Sequence, residues 1–164
     1  MTRFIIVLRR YASASHIAAT YLEDDGKAIG ILTGSTPAQQ DHFLFNNNLA
    51  FCLIRSGEVE PGIRQLAKID VSSLSNREKL VLLATRGFVL FRTGNADEGR
   101  RLYINAIDGL LQSNDAESAA LAAYFLAREE KRIGSELAKL RIDEAKSRIE
   151  RLNQPLLDFL AKKL

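Results

Sequence analysis

The chain has 164 residues, a formal charge of +3 and a pI of about 9.1, with 46% apolar and 26% charged residues. That length supports one domain with a real core, and the basic excess is far below that of a dedicated nucleic-acid binder. A single cysteine, Cys52, excludes an internal disulfide and any zinc site resting on thiolates.

The N-terminus, MTRFIIVLRR, carries an apolar run of five residues, Phe4 to Leu8. A secretory signal needs about 7–15 apolar residues, and a membrane span needs roughly 20, so neither is expected. There is no Asn-x-Ser/Thr acceptor, and a reducing, cytoplasmic setting is the default expectation. Phe4 to Leu8 has strand propensity; helix or a packed tail is favoured, because the chain offers no second strand to pair with it. Arg9 to Leu22 reads as helix and Gly26 to Leu32 as a short partner. Gly30 to Pro37 reads as a loop ending in a cap at Thr36.

From Asp41 the period is helical. Leu49, Ala50 and Leu53 share one face with Asn46 beside them, and Asn47, Asn48, Phe51 and Arg55 fall roughly opposite. Gly57 breaks this helix. A second runs from about Glu58 to Ile69, with Pro61 in its first turn, where a missing N–H costs little. Ser75 and Glu78 have capping-box spacing, and a helix follows to Thr93, broken by Gly94. Asn95 with Glu98 and Asn114 with Glu117 repeat that spacing. They precede a helix to about Gln112 and an alanine-rich one containing Ala119 to Ala127. Gly134 and Ser135 mark another break. The last long helix runs to about Asn153, and Pro155 opens a short one containing Leu156, Leu157, Phe159 and Leu160. The sum is about eight helices in hairpins, an all-α chain read as one domain over residues 1–164.

One phrase occurs twice. FCLIRSGEVEPG (Phe51 to Gly62) and FVLFRTGNADEG (Phe88 to Gly99) share Phe, Leu, Arg and two glycines in register, 37 residues apart. Each phrase ends a long helix and opens a shorter one. Similarity at such a period marks a stack of supersecondary units. Leu49, Ala50, Leu53, Gly57, Gly62 and Leu66, then Gly87, Leu90, Gly94, Gly99, Tyr103 and Ala106, resemble the tetratricopeptide repeat over about Phe43 to Ile107. That family pairs two antiparallel helices in a unit of roughly 34 residues, and its small residues let the paired helices approach closely. Three departures stand out. The period is 37, assigned to extra residues between Val71 and Asn76. Arg86 replaces a large apolar residue, and Lys131 falls where the third turn glycine belongs.

The resemblance implies antiparallel hairpins stacked as a short right-handed solenoid. Residues 1–36 would form a degenerate hairpin and 37–112 the two best repeats. Residues 113–164 would form a degenerate repeat with a capping helix. It also implies a concave groove that binds a peptide or a partner's helix, lined here by Asn47, Asn48, Phe51, Arg55, Thr85, Phe88 and Arg92, with Ile54 and Phe91 at the edge. Phe and Arg there would offer an apolar contact and a fork for carboxylates. The alternative is that Phe51 and Phe88 pack between adjacent hairpins and that the arginines are solvated helix ends. A carboxylate clamp known in the family needs a basic pair where this chain has Val81 and Thr85, so no such clamp is expected.

No catalytic residue, cofactor or metal site is expected. His16 and His42 lack a third ligand at metal spacing, Cys52 lies inside a repeat helix, and GILTGST has no phosphate-loop lysine. Asp24–Asp25 and Glu129–Glu130 read as solvated helix ends. The first functional reading is therefore a non-enzymatic protein-interaction scaffold. A second is nucleic-acid contact through the basic C-terminal helices, which carry Lys131, Arg132, Lys139, Arg141, Lys146, Arg148, Arg151, Lys162 and Lys163. Acidic residues interrupt that series, as on an outer face with i,i+4 pairs. A third is self-association as a homodimer, or as a fragment of a longer array, with Leu156 to Leu164 covering the last hairpin of its own chain or docking on another. No membrane partner is expected.

Overall fold

The computed structural model describes Ala18, Thr20, residues 24–34 and residues 42–164. The expected segments Phe4 to Leu8 and Arg9 to Leu22, His16 and the cap at Thr36 lie outside the described residues. Among the described residues there are eight α-helices, one 3-10 turn and no strand. They are α1 (Asp25–Thr33), α2 (Phe43–Arg55), α3 (Val59–Leu66), the 3-10 turn Val71–Ser73, α4 (Asn76–Arg92), α5 (Ala96–Gln112), α6 (Ala116–Arg132), α7 (Ala138–Leu152) and α8 (Pro155–Ala161). Contacts group the chain into two compact units, Met1–Leu74 and Ser75–Leu164.

In the first unit α2 packs on both α1 and α3. Leu32 of α1 meets Phe45 and Leu49, and Ala28 meets Cys52. Part of the expected loop is helix: Gly30 to Thr33 form the last turn of α1. The side chain of Asp24 caps its start, and Thr33 Oγ1 donates back to the Ile29 carbonyl at 2.9 Å. His42 starts α2 by accepting the Leu44 amide on Nδ1 at 3.2 Å. α3 lies close against α2 because Gly62 has no side chain. A Cβ there would stand 2.4 Å from Ile54 Cγ1 and 3.0 Å from the Ala50 carbonyl.

In the second unit consecutive helices pack from α4 to α8, and α4 also meets α6. The Ser75–Glu78 capping box forms in both directions. The other two expected boxes do not. Asn95 is the N-cap of α5 without a side-chain bond, and Glu98 turns instead to Arg101. At α6 the cap is Asp115, one residue on, accepting the Ser118 amide at 3.1 Å, because Asn114 is in the left-handed region at φ 57°. The paired helices α4 and α5 touch backbone to backbone. A Cβ on Gly87 would lie 2.8 Å from the Gly99 carbonyl, and a Cβ on Gly99 would lie 2.8 Å from the Gly87 carbonyl.

The helix break recurs a third time. Arg55-Ser56-Gly57, Arg92-Thr93-Gly94 and Arg132-Ile133-Gly134 each end a helix at the arginine and turn at a glycine with φ of 101°, 88° and 66°. Those glycines are 37 and then 40 residues apart. The third break is therefore displaced by three residues rather than missing at Lys131.

Gly99→Ala should cost about 2 kcal/mol, because backbone stands where the methyl would go. Gly109→Ala should cost less, since its methyl would meet only the mobile end of Leu80 and alanine favours helix. Urea unfolding of the two variants measures the difference, and equal losses would contradict the tight α4–α5 contact.

Candidate partner-binding site

The two arginines of the repeated phrase have partners within the chain. Arg55 on α2 makes a two-pronged bond to Asp25 on α1, with Nε to Oδ2 at 2.8 Å and Nη2 to Oδ1 at 2.6 Å. Its guanidinium lies 5.3 Å from the centre of the Phe51 ring. Arg92 on α4 does the same with Glu129 on α6, at 2.9 Å and 2.7 Å, and lies 4.8 Å from the Phe88 ring centre. A cation over an aromatic face is stabilised by the ring quadrupole, so each phenylalanine positions the arginine four residues later. The fork read as open to a partner's carboxylate is filled by a carboxylate of a neighbouring helix.

The remaining candidates divide by burial. Phe88 is 1% exposed and Asn47 5%. Thr85 is also buried, and its hydroxyl donates to the Val81 carbonyl at 3.2 Å. Among the described residues the side-chain oxygen of Asn47 has no hydrogen-bond partner. Asn48 and Phe51 are half-buried. Ile54 is buried, with side-chain atoms where a Cβ of Gly62 would go, and Phe91 is buried beside Tyr103 with ring centres 6.1 Å apart. Asn46 serves the hairpin itself, accepting from Gln65 Nε2 of α3 at 2.5 Å.

The acidic pairs read as solvated ends are corrected by the structure. Asp24 is an exposed cap, but Asp25 holds Arg55. Glu129 is 4% exposed and takes a second arginine, Arg132, at 2.7 Å. Arg132 also donates to the Phe91 carbonyl at the end of α4, at 3.2 Å. Glu130 is wholly buried and bonds Arg100 of α5, with Nε to Oε1 at 2.5 Å. Burial opposes its charge, yet the hydrogen bonds from Arg100 and Ser135 outweigh that and hold the carboxyl below the ordinary 4.5. Adjacent carboxylates on α6 thus fasten that helix to α4 and α5 separately. The sequence carried a usable signal: Glu129 follows Arg92 by 37 residues, one repeat, and Asp115 follows its partner Arg77 by 38.

A third aromatic–arginine pair was missed. Arg128 of α6 lies 5.7 Å from the Tyr124 ring centre, four residues before it. Glu130 of the same helix bonds α5, so helical periodicity turns Leu121, Phe125 and Arg128, all half-buried, to the side away from α5.

Cys52 and His42 both take part in the local fold. Cys52 is buried, and its thiol is pushed up to about 12, first by burial and then by the neighbouring Asp25 carboxylate. It stays protonated and is a poor nucleophile. His42 caps α2. Among the described residues no three His, Cys, Asp or Glu side chains gather as a metal site. None of the described helices is long and apolar enough to cross a membrane. In the basic C-terminal part, Lys139 pairs with Asp143 and Arg141 with Glu144 on their own helix.

Comparison with known proteins finds no matching family model, no matching curated protein and no matching solved structure.

Glu130→Gln should destabilise the chain by about 3 kcal/mol at neutral pH, because it leaves the Arg100 charge without its buried partner. A depressed folded pKa contributes stability that is fully present above 4.5 and lost as the pH falls through the folded value. The difference in melting temperature between wild type and Glu130→Gln should therefore shrink below pH 4.5. A difference that stays constant down to acid would contradict the role of this ion pair.

Proposed function

We propose that the chain is a short tetratricopeptide-like solenoid acting as a non-enzymatic scaffold that binds a peptide or a partner helix. The observation that carries this reading is the repeated hairpin. In both units a glycine brings the second helix against the first, at Gly62 and at Gly87 with Gly99, and each hairpin turns at the same Arg-x-Gly break. Such construction occupies one stripe of the first helix and leaves another for a ligand.

Within the first unit recognition is assigned to the half-buried Asn48 and Phe51 on α2, and within the second unit, taken by itself, to the half-buried Leu121 and Phe125 on α6. Phe88 and Arg92 serve instead to fasten α4 to Glu129 of α6. The partner chemistry this favours is apolar contact with backbone hydrogen bonding from the asparagine.

The test is capture of a partner from cell extract, followed by titration of the recovered protein. Asn48→Ala with Phe51→Ala should weaken binding at least tenfold, about 1.4 kcal/mol, with helix content unchanged. Unaltered affinity in that folded variant would remove the groove assignment.

A further inference from the structure

We infer that α6 binds an acidic peptide segment of a partner protein, with an apolar side chain of the segment against Leu121 and Phe125 and a carboxylate at Arg132. The inference rests on the assignment of Leu121 and Phe125 to recognition and adds the chemistry of what they recognise. Leu121, Phe125, Arg128 and Arg132 follow one another at spacings of four, three and four residues, so they form one stripe along α6. The stripe is apolar first and cationic at its C-terminal end. No acidic residue stands on α6 between Glu117 and Glu129.

The cationic end holds more positive charge than its own carboxylate offsets. Glu129 meets two guanidiniums, Arg92 at 2.7 Å and Arg132 at 2.7 Å, so the three groups sum to +1. Arg128 adds a charge one turn before Arg132. Glu130 is wholly buried against Arg100 on the α5 side and does not compensate them. Of the two arginines on Glu129, the side chain of Arg92 is 19% exposed and that of Arg132 is 41% exposed. The surplus charge therefore reaches solvent through Arg132, where a second carboxylate would accept a charge-assisted hydrogen bond. A basic segment would meet like charge there, which sets the sign of the partner. The spacing sets its form. The seven residues from Phe125 to Arg132 span about 10 Å along the helix axis. An extended ligand covers that distance in about three residues, which places its carboxylate about three residues from its apolar anchor.

Selection of a phage-displayed random peptide library on the full chain tests this, followed by anisotropy titration of the enriched peptides. Peptides whose binding is lost in Phe125→Ala should carry Asp or Glu about three residues from a large apolar residue. Replacing that carboxylate by its amide should weaken binding to the wild-type chain about fivefold. Arg132→Gln should weaken the acidic peptide by the same factor and leave the amide peptide unchanged, and Arg132→Lys should restore part of the loss. Should either variant lose helix content, Leu121→Ala takes the place of Phe125→Ala, and the amide comparison on the wild-type chain takes the place of Arg132→Gln. Phe125-dependent peptides that are neutral or basic would overturn the inference and leave the scaffold reading standing, as would an amide peptide that binds as well as the acid or an acidic peptide indifferent to Arg132→Gln. Enriched peptides all indifferent to the loss of Phe125 would overturn both.

Discussion

The backbone contact between Gly87 and Gly99 is the constraint on which the second unit depends. It sets α4 and α5 close enough that side chains from both reach the same end of α6. Phe91 and Tyr103 close over the contact, and Arg92 and Arg100 then arrive at Glu129 and Glu130. Neighbouring residues on a helix point about 100° apart. One carboxylate therefore faces α4 and the next faces α5. A wider α4–α5 pair would leave one of the two arginines out of reach and one buried carboxylate without its charge partner.

Buried ion pairs are a weak source of net stability, since desolvation offsets most of the attraction. Their consequence here is register. Leucine packing alone tolerates sliding by a turn, whereas Glu129 must meet Arg92 while Glu130 meets Arg100. The first unit uses the same chemistry once, with Asp25 on α1 holding Arg55 on α2 beside the protonated Cys52 thiol. In both units the arginine stacks on the aromatic ring one turn earlier, which limits its rotamers before the carboxylate is met. With these arginines engaged, the recognition surface we propose draws instead on their less buried neighbours.

Local signals in the sequence were reliable where the physics is local. Gly57, Gly94 and Gly134 turn the chain because they adopt positive φ, and the Ser75–Glu78 box forms because both partners lie within one turn. The repeated glycines foretold the close helix pairs. Failures came where a competing side chain decided the outcome. Glu98 pairs with Arg101 instead of completing a box, and Asp115 displaces Asn114 as a cap while also holding Arg77. Asp25, Glu129 and Glu130 were misread for the same reason. Read alone, a carboxylate at a helix end looks solvated, and its partner lies 30 or 37 residues away. An opposite charge one repeat away was the visible trace of the Arg92–Glu129 bond, and the two pairs spaced by 30 residues left no such trace. Of the site, the recurring Phe–Arg pair was legible, and its direction was not.

The most direct measurement is a double-mutant cycle joining Arg92→Ala and Glu129→Ala, read by urea unfolding. If the arginine of the repeated phrase fastens α4 to α6, the two losses will be non-additive, with a coupling of roughly 1–3 kcal/mol. Additive losses would contradict it and would return Arg92 to the surface as a residue available to a partner.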